Sequence, residues 1–204
     1  MKIQLAIDRV SIERAKEISR EASTYIDIIE VGTALIKDFG TVSIKEIKDA
    51  FPNKIILADM KTIDEGAYEF KAAFNSGADI ATVMGAASIN TLKACYKVAQ
   101  DFGKFMMIDL LEVGYEKINM LTDFTDAIFC IHSPSDGEEH ILTSLLKEFK
   151  EKFPKISKVA VAGSVNYQTI TSIKEANVDI VIIGGAITKA SSIGSAAKKF
   201  REMI

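Results

Sequence analysis

Lys54-Ile55-Ile56-Leu57-Ala58-Asp59-Met60-Lys61-Thr62-Ile63-Asp64 passes from an apolar run to a charged cluster within a few residues. The apolar part reads as a strand buried on both faces, as strands of parallel sheets are. Gly66 and a helix-like segment follow. Asp59 and Lys61 therefore emerge at the carboxyl end of a strand, two residues apart and on one face. Two carboxylates flanking an ammonium hold it protonated beside a substrate. Taken alone, D-x-K-x-x-D reads more readily as a solvated charge cluster in a loop. The rest of the chain, which repeatedly places polar residues at strand ends, shifts the reading to a functional site.

Working outward, apolar β-branched runs occur at Ile3 to Ile7, Ile26 to Val31, Ile55 to Ala58, Ile80 to Val83, Phe105 to Leu110, Ala127 to Ile131, Val159 to Ala162 and Ile180 to Ile183. Between them lie amphipathic segments: Ser11 to Arg20, Ser43 to Ala50, Ala67 to Asn75, Ile89 to Phe102, Ile141 to Phe153 and Tyr167 to Glu175. Ser11 is placed to cap the first of these, and Gly77 and Gly103 stand where helices should end. Eight strands alternating with helices fit a closed barrel or an open doubly wound sheet. The count of eight favours a (β/α)8 TIM barrel, a single domain over residues 1–204.

The chain has 204 residues, of which 48% are hydrophobic and 26% charged, within the range of an ordinary globular protein. A formal net charge of −3 gives no general attraction to nucleic acid or to an anionic membrane. No leader precedes Ile3 and no apolar run is long enough to span a bilayer, so a cytoplasmic location is expected. Cys95 and Cys130 each lie in an apolar run and read as reduced core residues.

In a barrel all strand ends converge on one face. The residues there are Asp8, Glu30, Asp59 with Lys61, Gly85, Asp109, His132, Gly163 with Ser164, and Gly184 with Gly185. Ionisable groups at buried strand ends need partners. Asp8 is as well suited to capping a helix as to chemistry. Glu30 and Asp59, on adjacent strands, suit a hard divalent cation, although both could instead simply pair with Lys61. His132 follows a buried run and is suited to acid–base work near neutrality, or to a structural hydrogen bond. The turns Gly163-Ser164 and Gly184-Gly185 end the last two strands, the positions where barrels frequently bind phosphate through backbone N–H groups. No dinucleotide fingerprint or Walker lysine loop is present.

These residues match a known pattern. Leu5-Ala6-Ile7-Asp8, Ile29-Glu30-Val31-Gly32-Thr33, Ala58 through Asp64, Gly77-Ala78-Asp79, Ala160-Val161-Ala162-Gly163 and Gly184-Gly185-Ala186-Ile187-Thr188 span nearly the full length. The chain resembles the orotidine 5′-monophosphate decarboxylase suprafamily, and within it the 3-hexulose-6-phosphate synthase branch. The 3-keto-L-gulonate-6-phosphate decarboxylase branch is its close relative. The resemblance implies a homodimer with composite active sites, bound Mg2+, a phosphorylated sugar substrate and a 1,2-enediolate intermediate. It assigns Glu30 and Asp59 to the metal, Lys61 to an active-site cation, and Asp109 and His132 to positions near the reacting carbons. Asp64 would reach into the partner's site, while Gly163, Ser164, Gly184 and Gly185 would hold phosphate. Asp8 and Asp136 complete the expected substrate contacts. Gly185 and Ser135 stand where the decarboxylase branch carries arginines, which favours the synthase. Ser133-Pro134-Ser135-Asp136-Gly137-Glu138 keeps the aspartate of the synthases but lacks their glutamine, and Gly163-Ser164-Val165 replaces their glycine pair. The implied activity is a lyase: an aldolase joining formaldehyde to D-ribulose 5-phosphate. Decarboxylation of 3-keto-L-gulonate 6-phosphate, or a non-catalytic phosphosugar-binding barrel, are the alternatives.

Overall fold

Eight parallel strands close into one barrel in sequence order, with β1 (Lys2–Ile7) pairing both β2 (Ile28–Val31) and β8 (Ile180–Ile183). The structure is a computed structural model and describes residues 1–133 and 141–204. The intervening strands are β3 (Ile55–Thr62), β4 (Ile80–Met84), β5 (Phe105–Asp109), β6 (Ile128–His132) and β7 (Val159–Ala162). The expected (β/α)8 barrel is therefore the observed one, and the open sheet is excluded by the β1–β8 ladder.

The helices are α1 (Ile12–Ala22), α2 (Thr33–Phe39), α3 (Val42–Ala50), α4 (Gly66–Asn75), α5 (Ile89–Asp101) and α6 (Tyr115–Leu121). They continue as α7 (Ile141–Lys152), α8 (Ile170–Glu175), α9 (Gly185–Thr188) and α10 (Ile193–Met203). Ser11 caps α1 by accepting from the Arg14 N–H, and Gly77 and Gly103 take positive φ just beyond α4 and α5, as expected. Four helices go beyond the sequence reading. Of these, α2 and α6 have 7 residues each and α9 has 4, too short to display a helical period. The 11-residue α10 is different: it buries Ile193, Ala196, Ala197 and Phe200, an openly helical spacing.

Strand alternation divides the core into two layers. One face of each strand packs outward against the helices, giving the large cluster that includes Ile3, Leu5, Ile29, Ile56, Phe70 and Phe200. The other face fills the barrel interior with Ile28, Leu57, Ile80, Met107, Ile128, Cys130, Ala160, Ala162 and Ile180. Two residues beyond an interior residue the same face comes round again, now nearer the carboxyl end. Thus Ile28 leads to Glu30, Leu57 to Asp59, Ile80 to Thr82, Met107 to Asp109, and Cys130 to His132. The site is built by that step of two.

At the opposite end, three aspartates brace the strands. Asp27, Asp79 and Asp179 each accept an N–H from the first two residues of the preceding odd-numbered strand, from Ile3, Ile56 and Val159 at 2.8, 3.0 and 2.8 Å. Each lies just before an even-numbered strand, so one carboxylate ties two strand starts together.

Candidate active site

The carboxyl ends of the strands enclose a pocket of about 730 Å³. Its lining includes Asp8, Glu30, Asp59, Lys61, Asp109, His132, Gly163, Ser164, Gly184 and Gly185. Of the candidate site residues expected from the sequence, Gly85 and Asp64 are the ones among those described that lie outside it. Asp136 falls outside the described residues.

Lys61 is the hub. Its Nζ lies 2.6 Å from Asp109 Oδ2 and 3.2 Å from Asp59 Oδ2. Burial disfavours the ammonium, but the Asp59 and Asp109 carboxylates more than compensate and push its pKa above the ordinary lysine range. Asp109 is almost fully buried and also accepts the Leu111 N–H at 2.9 Å. Burial alone would raise its carboxyl; His132 and Lys61 instead hold it down at about 2. His132 Nδ1 lies 3.0 Å from Asp109 Oδ2. With Nδ1 committed to Asp109, Nε2 is the ring nitrogen left for chemistry in the pocket.

Asp59 accepts from Thr33 Oγ1 at 2.5 Å and from Thr82 Oγ1 at 2.8 Å. Glu30, beside it, accepts from Gln4 Nε2 at 2.6 Å. Burial and then the Asp59 charge raise the Glu30 carboxyl to about 8, only partly offset by Gln4 and Lys61. Two acidic groups thus crowd a buried wall with less positive charge than they need. Among the described residues, no group of three or more His, Cys, Asp and Glu side chains is arranged to hold a metal ion. A cation here would rest on two protein carboxylates, with other ligands completing its shell.

Asp8 lines the pocket yet is engaged elsewhere. Its Oδ1 accepts the Ala34 N–H at 2.8 Å, so it supports the start of α2 rather than α1. A Cβ on Gly32 would come within 2.3 Å of that carboxylate, which explains the glycine. Gly163 is likewise a packing glycine: φ is +91°, and an added Cβ would lie 2.1 Å from the Ser133 carbonyl oxygen. Gly185 is the contrast. A Cβ there would make only ordinary contact, at 3.6 Å, with the Lys189 side chain. Packing does not demand that glycine, so what it provides is open space at the pocket wall.

Three participants were missed in the sequence: Gln4, Thr33 and Thr82. Each was legible as a polar side chain on an inner strand face or just past a strand end. Asp64 is exposed, sits between the exposed Ile63 and the α4 start, and makes no hydrogen bond or ion pair with a described residue. Nor does Asp64 cap its own helix, since α4 has no side-chain cap.

Comparison with known proteins agrees with this geometry. Residues 1–200 match the family model described as orotidine 5′-phosphate decarboxylase / HUMPS family. The 3-hexulose-6-phosphate synthase of Bacillus subtilis is 35% identical over 210 residues, covering 100% of this chain and 99% of that protein. A crystal structure of 3-hexulose-6-phosphate synthase superposes with a TM-score of 0.92 at 35% identity, covering 100% of both chains. The 3-keto-L-gulonate-6-phosphate decarboxylase of Vibrio cholerae also superposes, with a TM-score of 0.85 at 26% identity, covering 98% of this chain and 97% of its own. The barrel, the strand-end site and the full-length match together make this chain a member of the orotidine 5′-phosphate decarboxylase / HUMPS family.

Proposed function

We propose that the protein is a lyase of the 3-hexulose-6-phosphate synthase type, an aldolase that joins formaldehyde to D-ribulose 5-phosphate. The observation that carries the reading is the Lys61–Asp109–His132 chain, at 2.6 and 3.0 Å, set in the barrel mouth. His132 Nε2 removes a C1 proton from the ketose phosphate, and Asp109 steadies the imidazolium that results. The Lys61 ammonium, kept charged by Asp59 and Asp109, faces the negative charge of the 1,2-enediolate. The enediolate carbon then attacks formaldehyde, and the proton on His132 neutralises the new alkoxide. Mg2+ is proposed on Glu30 and Asp59, where it would relieve the crowding of two buried acids. When bound it would act as a Lewis acid toward the substrate's oxygens.

The substrate phosphate is proposed at Ser164, Gly184 and Gly185, beside Gly163. Asp64, which has no partner within its own chain among the described residues, is proposed to complete the site of a second copy in a homodimer. Exposed Ile63 and Tyr68, 57% and 73% exposed, flank it and would be covered by that copy. Decarboxylation of 3-keto-L-gulonate 6-phosphate reaches the same intermediate, but the synthases are the nearer relatives in identity. Exchange of the C1 proton of ribulose 5-phosphate with solvent deuterium, followed by NMR, tests the mechanism. Exchange that survives His132→Gln at the wild-type rate removes His132 as the base. Formaldehyde consumption without CO2 release from the keto-gulonate separates the two reactions.

A further inference from the structure

The pairing of β3 with β4 contains an irregularity at the centre of the site. Ala58 pairs with Ala81, and the next pair is Thr62 with Val83. Three residues of β3, Asp59, Met60 and Lys61, therefore stand opposite a single residue of β4, Thr82. The extra length bulges the strand and leaves Lys61 at a φ of +47°, a left-handed conformation that lysine rarely adopts. Inside such a bulge the ladder offers no regular acceptor, and the Lys61 N–H donates instead to Thr82 Oγ1 at 2.9 Å.

That contact fixes the orientation of the hydroxyl. A backbone N–H can only donate, so Thr82 Oγ1 accepts there and its own hydrogen is free to go to Asp59 Oδ1, 2.8 Å away. One hydroxyl thus ties the backbone of Lys61 to the carboxylate of Asp59, whose other oxygen meets the Lys61 ammonium. Thr82 is 3% exposed, so water cannot readily stand in for it. It is also the one polar residue in Ile80-Ala81-Thr82-Val83-Met84. A hydroxyl on that inner face has a cost unless it is satisfied, and here it is satisfied twice.

We infer that Thr82 is the positioning residue of this site: its hydroxyl holds the bulge that aims the Lys61 ammonium at Asp59, Asp109 and the substrate. Valine has the same shape and branching, and favours strands, so Thr82→Val removes the hydroxyl with little disturbance of packing. Thr82→Ser keeps the hydroxyl and loses only a methyl group.

In kinetics, the effect on rate rests on the function proposed above. Thr82→Val should slow C1 deuterium exchange at saturating ribulose 5-phosphate by roughly tenfold or more, with substrate affinity changed less than about threefold. Thr82→Ser should stay within about threefold of wild type. Wild-type exchange in Thr82→Val, a serine variant as slow as the valine one, or a loss confined to affinity overturns the inference. If the valine variant does not fold, Thr82→Ala is read by the same criteria. Crystal structures of the wild type and the folded variant test the positioning without turnover. Lys61 Nζ withdrawn from Asp59 and Asp109 in the variant supports the inference, and an unchanged bulge with both ion pairs intact overturns it. A wild type that exchanges no C1 proton removes the proposed function, while the two crystal structures still decide whether Thr82 positions Lys61.

Discussion

Asp109 carries the densest set of contacts in the site, and its charge state links chemistry to stability. Its folded carboxyl titrates at about 2, below the ordinary value of 3.8. A depressed carboxyl stabilises the fold above the unfolded value and loses that contribution as pH falls through the folded one. The window is therefore pH 3.8 down to 2, and the contribution above it is about 2 kcal/mol. Urea unfolding from pH 6 to 2 should show wild type more stable than Asp109→Asn by about that amount at pH 6, the gap closing toward pH 2. A gap constant across that range would mean the shift is absent. Asp59 is the other decisive carboxylate. Asp59→Asn keeps hydrogen-bonding atoms for Thr33 and Thr82 but removes the charge that a hard cation needs. Activity and Mg2+ dependence should vanish together while the melting temperature moves by only a few degrees. Near-normal turnover with unchanged Mg2+ dependence would take Asp59 out of the proposed metal site.

At the scale of elements, the step of two along each strand makes one end functional and leaves the other to hold the fold. The aspartate braces belong to the second end. Asp79 receives Lys48 at 2.8 Å, Lys104 at 2.5 Å and the Ile56 N–H at 3.0 Å. Asp79→Ala removes all three and should cost about 2 kcal/mol in urea unfolding, while Asp79→Asn retains an acceptor and should cost about half as much. A cost for the alanine variant below about 0.5 kcal/mol would reduce the brace to an ordinary surface ion pair. On the functional side, Gly185→Asp should fold normally because space for a Cβ exists, yet raise KM for a phosphorylated substrate more than tenfold through charge repulsion. An unaltered KM would place the phosphate away from α9. The apolar runs made all eight strands legible, because burial on both faces writes itself into composition. Two strand boundaries moved by more than one residue, each for a physical reason. Expected to end at Ala58, β3 continues to Thr62 because a bulge accommodates polar residues that a regular buried strand would expel. Expected from Ile26, β2 starts at Ile28 because Asp27 turns its side chain to brace β1. The charged site residues announced themselves by being charged where strands end. Thr82 did not, since a threonine within a β-branched run looks like ordinary strand composition.

At the scale of the whole molecule, Asp64 is left without a partner inside its own chain among the described residues. Lys61 faces the barrel mouth, whereas Asp64, three residues later, is exposed beyond the bulge and outside the pocket. The left-handed turn at Lys61 and another at Glu65, with a φ of +52°, carry the chain away from the site between them. Exposed Ile63 and Tyr68 lie on the same segment, an arrangement suited to burial against a second copy. In a two-fold dimer the segment of each chain would meet its counterpart's barrel mouth, and each site would draw residues from both chains. Mixing two inactive variants, Lys61→Ala and Asp64→Ala, tests this directly. After subunit exchange, each heterodimer would contain one site with both lesions and one with neither, so the mixture should recover activity. With equal amounts and free exchange, half the dimers are mixed and each has one intact site, so recovery should approach about a quarter of wild-type activity per chain. Heterodimers confirmed by mass spectrometry that remain inactive would show that Asp64 serves its own chain. An Asp64→Ala variant that is active alone would show that it serves neither.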